Sequence, residues 1–385
     1  MVHISWLHRI NNMRLSNLEL LNFRNYENLS LVFEKDLVIF LGENAQGKTN
    51  ALEAIYALAM TRSHRTTHEQ ELIEWQKKEA SVRGTIEKKS HKVLLDVCFT
   101  KKGRRTKINH LEQKKLSSYV GQMNVILFAP EDLALVKGTP QLRRKFLDME
   151  IGQISPVYLH NLVQYQHVLK QRNLYLKQLA ETKKADELYL TILTEQLVEF
   201  GSKVLFERLQ FIKKLEYWAN TLHQSISQQK ETLTITYDSS IDLSTDSTMK
   251  SIVESYQQAL GKTQKNERFR QVTLVGPHRD ELLFFINGRN VQTYGSQGQQ
   301  RTTALSVKLA EIDLMKEETG EYPILLLDDV MSELDDSRQL HLLEAIEGKV
   351  QTFLTTTTLD HVKEKMTVEP MIYYVEQGKI KGESA

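Results

Sequence analysis

Apolar residues begin to recur at every second position just after Met13. Leu18 and Leu20 flank Glu19, and Leu29, Leu31 and Phe33 repeat the spacing. That period of two predicts a pair of half-buried strands, separated by Phe23-Arg24-Asn25-Tyr26. Residues 1–12 carry no such pattern and are expected to be an extension; Met1 and Met13 are both candidate starts. Leu37-Val38-Ile39-Phe40-Leu41 is a short apolar run suited to a strand buried on both faces. Ala51, Leu52, Ala54, Ile55 and Leu58 then step at helical spacing. Val93 to Phe99 reads as a further strand, with Cys98 expected as a buried strand thiol. Leu282–Ile286, the turn signal Asn287-Gly288 and Val291–Tyr294 read as a hairpin. A helix follows from Ser296, with Ala304, Leu305, Val307, Leu309, Ala310 and Ile312. Ile324-Leu325-Leu326-Leu327 is a second continuous apolar strand.

Residues from about 150 to about 225 are helical by pattern. Leu193, Leu197, Phe200 and Val204 form a stripe that Phe211, Leu215 and Trp218 resume, with Arg208 interrupting it. Leu159, Leu162, Val163, Gln166 and Leu169 form an earlier stripe, and Glu181 to Glu187 marks the turn between them. The expectation is an antiparallel helix pair packed as lobe core rather than a coiled-coil seam. Asp238 to Thr248, rich in Ser, Thr and Asp, reads as a loop.

The 385 residues suffice for roughly two to three domains of ~150 residues. Hydrophobic residues at 41% and charged residues at 26% exclude a disordered or low-complexity chain. No apolar run approaches the ~18 residues of a membrane span, and Met1 to Asn12 lacks a secretory apolar core. A single cysteine excludes an internal disulfide and a cysteine-based zinc site. The expected location is the cytoplasm, with no membrane partner. A net charge of +1 neither requires nor excludes nucleic acid.

Three segments carry chemistry. Gly42-Glu43-Asn44-Ala45-Gln46-Gly47-Lys48-Thr49 joins a strand to a helix in the G-x-x-x-x-G-K-T pattern. Its glycines let main-chain amides turn inward on phosphate oxygens. Lys48 is placed for the β- and γ-phosphates, and the Thr49 hydroxyl for Mg²⁺. Asp328-Asp329 ends the second apolar strand. There Asp328 suits Mg²⁺ and Asp329 suits an attacking water. Ser296-Gln297-Gly298-Gln299-Gln300 opens a helix with Ser296 as N-cap. It reads either as an ordinary capped helix or as a second anion site.

Together with Ser332-Glu333-Leu334-Asp335, these motifs resemble an ABC-type ATPase head with Walker A, signature, Walker B and D-loop. The long interval between Lys48 and Ser296 is similar to the chromosome-maintenance and break-repair branch, in which an insertion splits the head. Leu21-Asn22-Phe23-Arg24-Asn25-Tyr26, Ser63-His64-Arg65, Phe128-Ala129-Pro130-Glu131-Asp132-Leu133, Arg143–Asp148 and Gly276-Pro277-His278-Arg279-Asp280 narrow the resemblance to the RecF family of bacterial recombination mediators. It covers nearly the whole chain from Met13.

The fold so implied is α/β, an ABC-type P-loop head with an inserted, mainly helical second lobe. Residues 13–130 and 271–385 would form the head, and 131–270 the insertion. Gly42 to Asn50 and Arg24 would bind nucleotide, Lys48 and Asp329 would act in catalysis, and Thr49 and Asp328 would hold Mg²⁺. Ser296 to Gln300 would reach the nucleotide of a second copy, and Ser332 and Asp335 would line the D-loop. The activity implied is weak, DNA-dependent ATP hydrolysis by a homodimer that closes on ATP. The partners implied are duplex DNA and single/double-strand junctions, RecR, and RecO and RecA in the same pathway.

Two departures bear on this. No switch histidine ends the strand at Phe353-Leu354-Thr355-Thr356-Thr357-Thr358, so a threonine must sense the γ-phosphate. Asp329 is one methylene shorter than the usual glutamate, which predicts turnover below the ~1–10³ s⁻¹ of most enzymes. Gln122 is a weak Q-loop candidate. Arg65, Lys101, Lys102, Arg104, Arg105 and Lys107 are candidate DNA contacts, with Arg62, His64, Arg143-Arg144-Lys145 and Lys213-Lys214 as further basic positions. A P-loop kinase acting on a small molecule and a non-hydrolysing ATP-binding scaffold remain the alternatives.

Overall fold

A computed structural model describes residues 12–181, 186–244, 246–359 and 368–382. Residues 1–11 of the expected extension and Thr182 to Ala185 of the expected turn lie outside the described residues; Asn12 makes a β-bridge with Tyr322. The strands in chain order are β1 (Arg14–Phe23), β2 (Tyr26–Val32), β3 (Leu37–Leu41), β4 (Glu79–Glu87), β5 (Lys92–Thr100), β6 (Gly103–Ile108), β7 (Leu111–Glu112), β8 (Val125–Phe128), β9 (Leu233–Asp238), β10 (Glu281–Ile286), β11 (Arg289–Asn290), β12 (Ile324–Asp328), β13 (Thr352–Thr356), β14 (Met371–Glu376) and β15 (Lys379–Gly382). The chain divides into two units, one ending at Asp132 and resuming at Leu305, the other Leu133–Ala304. Among the described residues, no helix is long and apolar enough to cross a membrane.

The first unit holds two sheets. One is antiparallel, in the order β2-β1-β4-β5-β6-β7. Along β5 the residues Val93, Leu95, Val97 and Phe99 point inward, so the pleat sends Cys98 to the other face, half-buried beside Glu79 and Arg105. The expected core thiol is therefore a surface-facing one. The other sheet has the order β15-β14-β3-β13-β12-β8, and β14, β3, β13, β12 and β8 run parallel. Every residue of β12 and β13 is buried, which accounts for the continuous apolar run of β12. Parallel pairing sets the C-terminal ends of β3, β12 and β13 along one edge, with Asp328 opposite Thr355. Ligands of open α/β sheets bind at that edge.

The second unit contains the expected antiparallel helix pair, Pro156–Glu181 and Glu187–Ile226. Tyr158 bonds Arg208 and Arg172 bonds Thr194, which fixes their opposite directions. The buried face of the first helix carries Tyr158, Leu162, Tyr165, Val168, Arg172 and Leu176, whereas Val163 is exposed. The face expected around Val163 and Gln166 is thus turned outward. Apolar spacing missed it because half the true stripe is tyrosine and arginine. Arg208 likewise does not interrupt the core. It is buried, bonded to Asp148, Tyr158, Tyr237 and the Pro277 carbonyl. Each of its three nitrogens finds an acceptor, so the charge is tolerated inside.

Gly276, Pro277 and Asp280 are buried in this interior, with His278 half-buried and Arg279 exposed between them. Gly276 has φ +124°, and a Cβ there would stand 2.1 Å from the Tyr256 hydroxyl. Asp280 accepts from Ser239 and Ser240, and burial raises its pKa. Arg143 is also buried, holding Glu281 and the carbonyls of Leu135, Val136 and Gly138, while Arg144 donates to the Asp280 carbonyl. These two arginines are structural, contrary to their expected place in an exposed basic cluster. Lys213 is paired with Asp246. The unit also runs beyond residue 270, the boundary expected from the sequence, because β10 pairs with β9 inside it. Val291–Tyr294 is a short helix and not a returning strand, since Asn290 caps it by accepting from the Thr293 amide.

His278 yields a pH prediction. A carbonyl only accepts, so Nε2 donates to the Thr273 oxygen at 3.2 Å, and Nδ1 accepts from the Tyr165 hydroxyl at 2.6 Å. Burial, with Arg279, Arg144 and Arg208 nearby, lowers the pKa from 6.5 to about 4. Between those values the unfolded chain binds the proton and the folded chain does not. Stability from this group is complete above pH 6.5 and falls as pH drops towards 4, by about 3 kcal/mol. Denaturant unfolding across that window should show the loss. His278→Gln, which keeps both bonds without titrating, should flatten it; an unchanged slope in that variant refutes the assignment.

Candidate nucleotide-binding site

Gly42 to Thr49 leaves the end of β3 and enters the Lys48–Met60 helix. Two glycines have specific steric reasons. A Cβ on Gly42 would lie 2.3 Å from the Val375 carbonyl oxygen, and Gly47 has φ +117° with Asn25 against it. Lys48 folds over the loop, its Nζ donating to the carbonyls of Gly42 at 2.5 Å and Glu43 at 2.7 Å. Burial lowers its pKa, opposed by the carboxylates of Asp329, Asp328 and Glu43.

Behind the loop, Asp328 Oδ1 accepts from Thr49 Oγ1 at 2.9 Å and from Thr355 Oγ1 at 2.8 Å. Thr355 Oγ1 in turn accepts from the Asp329 amide at 2.9 Å. Asp329 has φ +52°, a left-handed conformation that ends β12 abruptly. A cleft of about 270 Å³ is lined by Asn44, Ala45, Gly47, Lys48, Thr49, Asn50, Arg65, Asp329 and Thr355, all from the first unit. The structure thus brings together the candidates from the loop, Asp328, Asp329 and one threonine of the β13 end. Gln122 does not join them; it bonds locally to Ser118.

The residues present suit Mg²⁺. Among the described residues no three His, Cys, Asp or Glu side chains form a metal cluster. One hydroxyl and one carboxylate, Thr49 and Asp328, already lie in contact. That sparse oxygen set matches an ion that keeps waters and takes phosphate oxygens. Thr355 is the threonine that sequence pattern left unspecified. Thr355→Val strips a donor from the Asp328 carboxylate and an acceptor from the Asp329 amide, at about 1.5–3 kcal/mol for a charged bond. In steady-state assays kcat should fall about tenfold to a hundredfold while ATP affinity stays within about twofold; unaltered kcat would remove Thr355 from the site.

Arg24 does not line the cleft. Its guanidinium is engaged by Glu53, a fully buried carboxylate on the Lys48–Met60 helix, and by the Glu71 carbonyl. Burial opposes ionisation of Glu53, yet bonds from Arg24 and Ser63 outweigh it and hold the carboxyl below its ordinary value. Arg65 lies on the same acid at 3.7 Å and donates to Asn50. His64 is kept neutral-leaning by burial, against Glu53 and Asp328.

Two turns grip the loop. From the β1–β2 turn, Tyr26 OH donates to the Gly47 carbonyl at 2.9 Å and Asn25 accepts from Asn50. From the β14–β15 turn, the Gln377 amide donates to Gln46 Oε1 at 2.7 Å and the Gly378 amide to the Gln46 carbonyl at 3.0 Å. The second grip was missed by sequence reading; the Gln377-Gly378 turn is its only trace, and its distance along the chain hid it.

In the second unit Ser296 caps the Gln297–Thr319 helix, Oγ accepting from the Gln299 amide at 3.2 Å. That bond occupies one amide of the expected anion site. In the first unit Ser332 donates to the Asp329 carbonyl, and Asp335 caps the Asp336–Ile346 helix through the Arg338 amide. Of the candidate DNA contacts, Arg104 is paired with Glu69 and Arg105 with Glu79. Lys101, Lys102 and Lys107 form no ion pair among the described residues and lie exposed on the β5–β6 hairpin.

The chain matches the family model described as RecF/RecN/SMC N terminal domain over residues 14–381. It is 66% identical over 374 residues to the DNA replication and repair protein RecF of Enterococcus faecalis, spanning 97% of this chain and 100% of that one. To the protein of the same name from Bacillus subtilis it is 54% identical over 368 residues, 96% and 100% of the two chains. A solved structure of the recombination mediator protein RecF with ATP, in the RecFOR pathway, is similar with a TM-score of 0.89 and 34% identity, over 97% of this chain and 98% of that one. The Smc head domain of Pyrococcus furiosus, at 15% identity and a TM-score of 0.55 over 97% and 96%, shares the fold. The fold is that of an α/β ABC-type ATPase head.

Proposed function

The chain belongs to the RecF family, and from that premise we propose that it is an ATP-driven DNA clamp of recombinational repair and replication. The observation that carries this reading is the Thr49–Asp328–Thr355 bonding beneath the Lys48 loop. Gly42 to Asn50 wraps the phosphates with main-chain amides, and Lys48 turns from its loop carbonyls to the β- and γ-oxygens. Thr49 and Asp328 would hold Mg²⁺, which when bound would supply charge neutralisation to the phosphates. Asp329 accepts a proton from the attacking water, and Thr355 keeps its main chain in place. Turnover is slow, because the short Asp329 side chain reaches poorly, and DNA stimulates it.

Ser296 to Gln300 of a second copy covers the γ-phosphate. Two such sites close a two-fold homodimer, and preferential ATP binding by the closed state drives closure. The closed dimer holds duplex DNA or a single/double-strand junction, with Lys101, Lys102 and Lys107 among the phosphate contacts. The RecFOR pathway in which the solved relative acts supports work with RecR and RecO, and loading of RecA is the step we assign to that work.

Sedimentation velocity with and without ATP and DNA tests this. A dimer should form only with ATP, DNA should co-sediment in a salt-sensitive manner, and ADP and phosphate should be the only products. A chain that stays monomeric with saturating ATP and DNA sinks the proposal.

A further inference from the structure

We propose that Glu231 is a positioning residue for the Ser296–Gln300 turn, setting the orientation of the Gln299 side chain and through it the Ser296 main chain. The inference rests on the reading of that turn as the cap over a second copy's ATP. Gln299 spans two bonds. Its Oε1 accepts from the Ser296 amide at 2.9 Å, and its Nε2 donates to Glu231 Oε1 at 2.8 Å. A side-chain amide alone can turn over and exchange oxygen for nitrogen. A carboxylate only accepts, so Glu231 admits a single orientation, the one that aims Oε1 at Ser296. The reciprocal Ser296–Gln299 capping box then stays closed from both sides.

Glu231 is itself held. Its Oε2 meets Nε2 of His223 at 3.0 Å, and His223 is fully buried on the Glu187–Ile226 helix. Its amide donates to Ser227 Oγ, the next amide to Asn287 and the following one to Asn220. The turn between the long helix and β9 is therefore tied at three consecutive residues, and the carboxylate is delivered to Gln299 from a rigid support. Of the signature residues, Gln299 is the one whose side chain is anchored in this way to the long helix of the insertion. A change in that helix would reach the nucleotide cap through Glu231.

The test is ATP-dependent dimerisation of the full chain by sedimentation velocity, with ATP binding to the single chain measured in parallel. Glu231→Ala should weaken the dimer about tenfold, the loss of one charged hydrogen bond, and leave single-chain ATP binding unchanged. In a Gln299→Ala background the same substitution should cost nothing further. Glu231→Gln, which retains an acceptor for Gln299, should stay within about threefold of wild type. If Glu231→Ala does not fold, Glu231→Met, of similar length, takes its place. An unweakened Glu231→Ala dimer overturns the inference, as does an equal loss in both backgrounds or a full loss in Glu231→Gln. A Ser296→Arg chain that associates like wild type overturns the capping reading and this inference with it. Loss in Ser296→Arg beside an unaffected Glu231→Ala overturns this inference alone.

Discussion

Lys48→Ala is expected to lower ATP affinity at least about a hundredfold and to abolish turnover and ATP-dependent association together. Nζ makes two short bonds to the Gly42 and Glu43 carbonyls, so the ammonium is already desolvated inside the arch of its loop. Burial works against its charge, and Asp329, Asp328 and Glu43 sustain it. When a triphosphate arrives, the ammonium exchanges neutral carbonyls for ionised oxygens, and each charge-assisted bond is worth about 1.5–3 kcal/mol. Two such bonds lost correspond to roughly two to four decades in Kd. Removal also leaves the carboxylates of Asp328 and Asp329 facing the polyphosphate with one cation fewer. Lys48→Arg should not rescue binding, because a planar fork is too wide for a site shaped around a compact ammonium. Equilibrium titration with ATP reads the effect directly. Binding by Lys48→Ala within about threefold of wild type would exclude the assigned role of Nζ.

The core of this site was legible because it is made of contiguous segments. β3 and β12 announce themselves as unbroken apolar runs, and the loop and the Asp-Asp pair follow at their ends. What could not be read was anything closed by pairing between remote segments. Thr355 was one of four successive threonines until the β12–β13 register set it opposite Asp328. Gln377 and Gly378 grip the P-loop only because β14 lies beside β3. The helical lobe failed for a different reason. Its interior is partly polar, with Arg208, Arg172, Tyr158 and Tyr165 occupying core positions among the apolar ones. Apolar periodicity alone therefore points the wrong face of the first helix inward and makes Arg208 a gap in the stripe. Basic clusters misled in the same sense, since Arg143, Arg104 and Arg105 are spent on acids and carbonyls of their own unit. Charge runs report composition, whereas availability depends on which acids the fold brings near.

Ser296→Arg should separate nucleotide binding from association. Ser296 is not among the residues lining the cleft, so ATP binding by the single chain should remain within about twofold of wild type. Association is different. Ser296 accepts from the Gln299 amide and gives its own amide to Gln299 Oε1. Arginine has no side-chain acceptor, so the cap is lost at about 1 kcal/mol. Its bulk also stands where a second copy's γ-phosphate must approach within hydrogen-bond distance of the turn. The dimer should weaken at least about a hundredfold, and turnover should fall to background. Ser296→Ala isolates the first of these effects: size is conserved, only the hydroxyl goes, and the dimer should weaken about fivefold to tenfold. The order wild type, alanine, arginine in sedimentation, with one common ATP-binding isotherm, is the expected signature. If instead ATP binding is lost in step with association, the turn acts on the nucleotide of its own chain, and the two-copy mechanism fails.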